Sequence, residues 1–152
     1  MRLITLIYIC LLFNTSAIAE LIYPNPNIDP KKVISIQLDA LMNNDLPFKD
    51  AGISQTWEFA HPQNRNFTGP LGKFTKMMKS KSYALMLNHT KYEIIVVSQN
   101  DNIANYFVEL TDKTGNKFGF TWTVSKVLQE GIFKNCWMTT SVSQPLPLAK
   151  SA

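Results

Sequence analysis

Apolar and polar residues change their spacing once along this chain. Over residues 30–79 the apolar positions recur at helical intervals, and from Ser82 onward they recur at every second residue. Asp29-Pro30 opens the first segment, with Asp29 as N-cap and Pro30 at the first helical position. The spacing predicts a helix to about Asn43, on which Val33, Ile34, Leu38, Ala40, Leu41 and Met42 make a broad apolar arc. Gln37 falls in the middle of that arc, and Asp39 points the opposite way, toward water. Asn43-Asn44-Asp45 ends the helix and Pro47 prevents its continuation.

A second helix is predicted over residues 51–60, with Asp50 as its cap and Ile53, Trp57 and Ala60 on one face. His61-Pro62 stops it, because a residue before proline avoids the helical region. Residues 63–68 read as a polar connection. Gly69-Pro70 then opens a third helix to about Lys79, again with proline at the first position. Its Leu71, Phe74, Met77 and Met78 face the core, while Lys73, Lys76 and Lys79 lie on the other side.

The alternating half of the chain predicts four strands, over residues 92–98, 103–110, 117–128 and 135–143, separated by turns. The third is the clearest: Phe118, Phe120, Trp122 and Val124 share one face, and Gly119, Thr121, Thr123 and Ser125 the other. Helices first and hairpin-linked strands afterwards define an α+β class, N-terminal helices packed on one face of an antiparallel sheet. Residues 20–29, with Pro24 and Pro26, form an extended lead-in to a single domain over residues 30–143, and residues 144–152 are expected to be a flexible tail.

Residues 1–19 have the layout of a cleavable export signal. Arg2 precedes an apolar run from Leu3 to Phe13, and Ala17-Ile18-Ala19 supplies the small residues at a cleavage point between Ala19 and Glu20. The run is shorter than the roughly 20 residues a membrane span needs, so no transmembrane segment is expected after processing. Cys10 lies too early and follows Ile9 rather than a small residue, which argues against lipid attachment. Removal of the leader leaves Cys136 as a lone thiol, expected to be a small buried apolar residue rather than half of a disulfide.

The formal charge of +4 is modest, and with export it makes nucleic acid an unsuitable partner. Charge is nevertheless uneven: residues 59–92 hold no Asp or Glu but contain Arg65, Lys73, Lys76, Lys79, Lys81 and Lys91. That stretch reads as a solvated helix face, with anionic lipid or an acidic partner as the alternative. Asn66-Phe67-Thr68 and Asn88-His89-Thr90 have the form of glycosylation acceptors, of consequence only in a eukaryotic secretory route.

No metal-ligand spacing, phosphate-binding glycine loop or nucleophile motif occurs, and no cofactor or metal is implied. His61 and His89 are isolated, and His61 is the weak candidate for a catalytic group. Gln37 is the more informative residue, since a carboxamide on an apolar face must find partners. It either satisfies backbone or orients a ligand in an apolar pocket, for which Trp57, Trp122 and Trp137 are candidate walls.

Several segments, taken in order, resemble a known family. Residues 33–45 (VISIQLDALMNND), Asp50-Ala51-Gly52-Ile53 and Trp57-Glu58-Phe59-Ala60-His61-Pro62 are followed by Asn64-Arg65 and Thr68-Gly69-Pro70-Leu71. Phe74, Tyr83, Phe120-Thr121-Trp122 and Cys136-Trp137-Met138-Thr139 complete the series. Together they are similar to the bacterial and plant family called domain of unknown function 4864, over residues 30–142. Asn135 stands where that family's pattern has glycine. The resemblance implies the cone-shaped, cystatin-like fold of nuclear transport factor two, in which N-terminal helices and a curved sheet enclose a pocket. It implies no activity, because relatives of that fold include isomerases, dehydratases, cyclases and non-catalytic scaffolds.

The expected function is a non-catalytic exported module, periplasmic or secreted and bacterial, that binds a small apolar ligand or a protein partner in its cone. A homodimer is compatible with that reading. The alternative is a small acid/base isomerase or dehydratase acting on an apolar substrate.

Overall fold

A computed structural model describes residues 20–148; the leader, Cys10 and residues 149–152 lie outside them. Helix α1 spans Pro30–Met42, α2 Ala51–Glu58, α3 Pro62–Thr68 and α4 Leu71–Met78. A single 3-10 turn, Ala84–Met86, leads into strands β1 (Lys91–Gln99), β2 (Ile103–Thr111), β3 (Lys117–Lys126), β4 (Trp137–Val142) and the short β5 (Leu146–Pro147). The first four strands form an antiparallel meander in the order β1-β2-β3-β4, and the helices pack against it, so the fold is α+β.

Asp29 caps α1 as its sequence position predicts, its side chain accepting from the Lys32 amide at 2.9 Å. The buried face of α1 carries Val33, Ile34, Gln37, Leu38 and Leu41, and the helix crosses the sheet in contact with β1, β3 and β4. Asp39 is exposed but engaged: the Tyr92 hydroxyl donates to its Oδ1 at 2.6 Å and ties α1 to the edge strand. Burial and this carboxylate push the Tyr92 phenol up to about 12.

Asp50 makes no side-chain cap on α2; its backbone is left-handed, with φ 62°. Asn44 does that work from the end of α1. The Gly52 amide donates to its carbonyl at 2.9 Å and the Ile53 amide to its Oδ1 at 3.1 Å. Asp50 instead receives Lys79 Nζ at 2.6 Å, which joins the start of α2 to the end of α4. That ion pair and the Asn44 amide hold its carboxyl below the usual range.

Residues 63–68, expected to be a connection, are helical as α3. His61-Pro62 ends one helix and starts the next: the His61 ring accepts from the Gln63 amide at 3.1 Å while Pro62 takes the first helical position. Arg65 then turns back on α2, donating through Nε to Ala60 O at 3.0 Å and through Nη2 to Trp57 O and Glu58 O, both at 2.9 Å. These bonds serve carbonyls at the end of α2 and just beyond it, of which Trp57 O also accepts from the Ala60 amide at 3.0 Å. Arg65 is therefore a fastening between helices rather than part of a solvated basic face.

The two central strands follow the predicted alternation, whereas the edge strand β1 leaves Ile95, Val96 and Val97 exposed. Phe120, Trp122 and Val124 of β3 are buried with Ala104, Tyr106, Val108 and Leu110 of β2. Irregularities at Val96/Ser98 and at Thr123/Val124 bend two strands. Of the residues expected to form a flexible tail, 144–148 are described, and there Leu146 lies opposite Gly119 and Pro147 opposite Phe118, with the Leu148 amide donating to Lys117 O at 2.9 Å. Pro147 is tolerated because its missing N–H falls on the outer side of that edge. Cys136 is a buried free thiol in a small cluster with Val127 and Met138, and burial pushes it up. Among the described residues, no helix is long and apolar enough to cross a membrane.

Candidate functional site

Between α1, the ends of α2 to α4, the 3-10 turn and β4 lies a cavity of about 260 Å³. Phe74, Met77 and Met78 of α4, Met86 of the 3-10 turn and Trp122 of β3 supply its apolar walls. Gln37 and Thr139 form a polar strip in it, and Phe67, Thr68 and Ser141 line its outer part. Phe67 is 78% exposed, so the cavity meets solvent beside it.

Thr139 organises the polar strip. Its backbone is held on both sides: the amide donates to Phe59 O at 2.8 Å, and its carbonyl accepts from the His61 amide at 2.8 Å and from Asn64 Nδ2 at 3.2 Å. In this way residues 59–61 cover the free edge of β4 at Thr139. The side chain then carries a directed chain of bonds. Trp122 Nε1 donates to Thr139 Oγ1 at 3.1 Å, so the hydroxyl proton goes on to Gln37 Oε1 at 2.6 Å. Gln37 Nε2 donates in turn to Thr56 O at 3.0 Å. Every direction in this relay is fixed, because an indole N–H only donates and a carbonyl only accepts.

Of the residues singled out from sequence, Gln37 and Trp122 are brought together on this cavity, both nearly fully buried. Trp57 stands one layer behind it, its ring 5.2 Å from that of Phe74 and the Arg65 guanidinium 5.0 Å above. Trp137 belongs to the core with Lys126 Nζ 5.2 Å from its ring, and neither it nor Trp57 lines the cavity. His61 lies away from the cavity too, occupied as the cap of α3 beside a separate groove with Ile103, Ser125 and Lys126. Of the methionine walls, Met77 and Met78 were read from sequence only as core positions, and Met86 was not singled out. Their softness suits a cavity that adapts to its occupant.

His89 is buried, with Nδ1 2.8 Å from Met86 O and, among the described residues, no partner for Nε2. The carbonyl calls for a proton on Nδ1, so in the neutral ring Nε2 is the bare nitrogen; the ring meets Tyr92 in a T-shaped contact, 5.8 Å between centroids. Burial lowers both His89 and His61, outweighing the backbone bonds that act in the other direction. A histidine lowered on folding binds its proton more readily in the unfolded chain, so its contribution is fully present above about pH 6.5 and is lost as pH falls from there. Thermal midpoints are expected to decrease from pH 7 to pH 5, before the carboxylates titrate, and His89→Phe should flatten that slope. A midpoint independent of pH over this window would contradict the burial assigned to both rings.

Among the described residues no group of three or more His, Cys, Asp or Glu side chains comes together to hold a metal ion. No family model, curated protein or solved structure matches this chain.

Proposed function

We propose that this protein binds a small, neutral, largely apolar molecule in the cavity between α4, the 3-10 turn and β4. The observation that carries the reading is the chemistry of the lining. A cavity of about 260 Å³ has aromatic, methionine, threonine and carboxamide walls, and none of its lining residues bears a formal charge. It is larger than the roughly 150 Å³ apolar cavity that accepts benzene, and its few convergent polar groups among apolar walls are the usual composition of a ligand pocket. An ionised ligand buried there would lose its hydration without gaining a counter-charge.

Binding is favoured over acid/base turnover by the same lining. General acid–base catalysis needs a positioned group that titrates near the working pH. The one ionisable side chain lining the cavity is Tyr83, which burial pushes further up. Export through the leader at residues 1–19, and distant kinship with the domain of unknown function 4864 family, complete the proposal; the layout of residues 1–19 supports the first and the order of motifs over residues 30–142 the second.

The test is recovery of the occupant. Organic extracts of purified protein are expected to yield a neutral compound at near-stoichiometric amounts by mass spectrometry. Ser141→Trp, at an exposed position lining the cavity, should abolish recovery while leaving the thermal midpoint close to that of the parent. Equal recovery from the folded variant would move the binding site elsewhere.

A further inference from the structure

Resting on the cavity reading above, we infer that the ligand carries a neutral hydrogen-bond acceptor (a ketone, ester or amide carbonyl, or an ether oxygen) and that Gln37 recognises it through the amide hydrogen its fold leaves unused. The argument is a count of valences. Gln37 is 1% exposed and lies in the wall of the cavity. Its Nε2 has two hydrogens, of which one goes to Thr56 O. Its Oε1 accepts from Thr139. Among the described residues no partner takes the second hydrogen.

The orientation of that carboxamide cannot be reversed. Turning it over would set Oε1 against the Thr56 carbonyl, where neither atom donates. The spare group is thus fixed as a donor. Oε1 and Thr139 Oγ1 also keep unused lone pairs, but an orphaned buried N–H is rarer and costlier than an under-used acceptor. A ligand acceptor therefore answers the largest unmet demand in the cavity. Its neutrality follows from the uncharged lining, since Gln37 offers a dipole and no counter-charge for a carboxylate.

The relay also explains why a rigid donor is built here at all. Trp122, Thr139, Gln37 and Thr56 come from β3, β4, α1 and α2, and each bond restrains the next. The carboxamide is held in place before a ligand arrives, which spares the ordering cost that a mobile side chain would add on binding.

Acetophenone and α-methylstyrene test this directly, because they share one shape and differ by C=O against C=CH2. In wild-type protein observed by NMR, both are expected to shift cavity resonances such as Thr139 and Met86. Only acetophenone should move the Gln37 amide proton that is not bonded to Thr56 downfield. Benzoate should shift neither set. In Gln37→Met, the ratio of acetophenone to α-methylstyrene affinity should fall about fivefold, the size of one net hydrogen bond, with partitioning from water cancelling in the ratio. If that variant does not fold, the wild-type proton shift decides alone. Cavity shifts from both probes with an unmoved Gln37 proton would overturn the inference and leave the cavity reading standing. No cavity shift from either probe would instead sink the cavity reading itself.

Discussion

Trp122→Ala is expected to lower the unfolding free energy by about 3–5 kcal/mol, measured by urea denaturation. The ring is 1% exposed and packs in the core with Tyr106, Phe120 and Val124. Its removal also takes the donor away from Thr139, whose hydroxyl anchors Gln37 across the cavity. Because the ring already borders open space, the void it leaves merges with the cavity instead of closing by collapse. Trp122→Phe should recover most of the loss but not the Thr139 bond. A cost below about 1 kcal/mol for the alanine variant would mean that the wall of the cavity repacks freely.

The second large effect is expected at Gly52. A Cβ there would stand 2.3 Å from Ala40 O and 2.9 Å from Asn44 Cα, both backbone atoms of the α1 hairpin. No rotamer change relieves such an overlap; α1 and α2 must separate, and the bonds from Gly52 and Ile53 to Asn44 go with them. Gly52→Ala is expected to cost about 3 kcal/mol. Gly72→Ala gives the matching control, since Gly72 is at an exposed position of α4 with nothing within 4 Å of the added atom. There the helix should gain about 0.5–1 kcal/mol. Equal effects at the two positions would contradict the close approach of α1 and α2.

These two sites differ in how far the sequence announces them. Trp122 stands in the clearest alternating stretch of the chain, and both its strand and its inward face follow from the period. Gly52 shows nothing comparable, because the contact that requires it is made by backbone from another helix. The same distinction holds for the elements. The start of α1 is legible in Asp29-Pro30, where cap and proline are adjacent. His61-Pro62 carries the same signature for α3, yet it reads first as a stop, because residues 63–68 show no apolar period to declare a helix. That helix is held by Arg65 bonds to the end of α2 and by Asn64 on Thr139, contacts that only the folded chain brings together.

The site was half legible for a related reason. Gln37 stands out as a polar residue at the centre of an apolar arc, which marks it as buried and in need of partners. Its partners are 19 and 102 residues away, on α2 and β4, and no local pattern names them. Trp57 and Trp137 are as large and as aromatic as Trp122, so composition ranks all three alike. Their places in the fold separate them: Trp57 is on α2 behind Phe74, Trp137 opens β4, and Trp122 faces the helices from an inner strand, opposite Tyr106 on one side and Val142 on the other. β5 was hidden by Pro145 and Pro147, since proline ends a strand in the middle of a sheet but is tolerated on its edge.

The most direct test of the central claim is an NMR titration of the protein with acetophenone, followed at the indole Nε1–H resonances of all three tryptophans. The Trp122 proton is bonded to Thr139 at the cavity wall, whereas the Trp57 and Trp137 rings lie outside it. The account predicts a saturable shift of the Trp122 signal together with the amides of Thr139, Thr140 and Met86, with the Trp57 and Trp137 signals nearly still. Shifts confined to Trp137, or a Trp122 signal unmoved at saturating probe, would contradict a ligand site in this cavity.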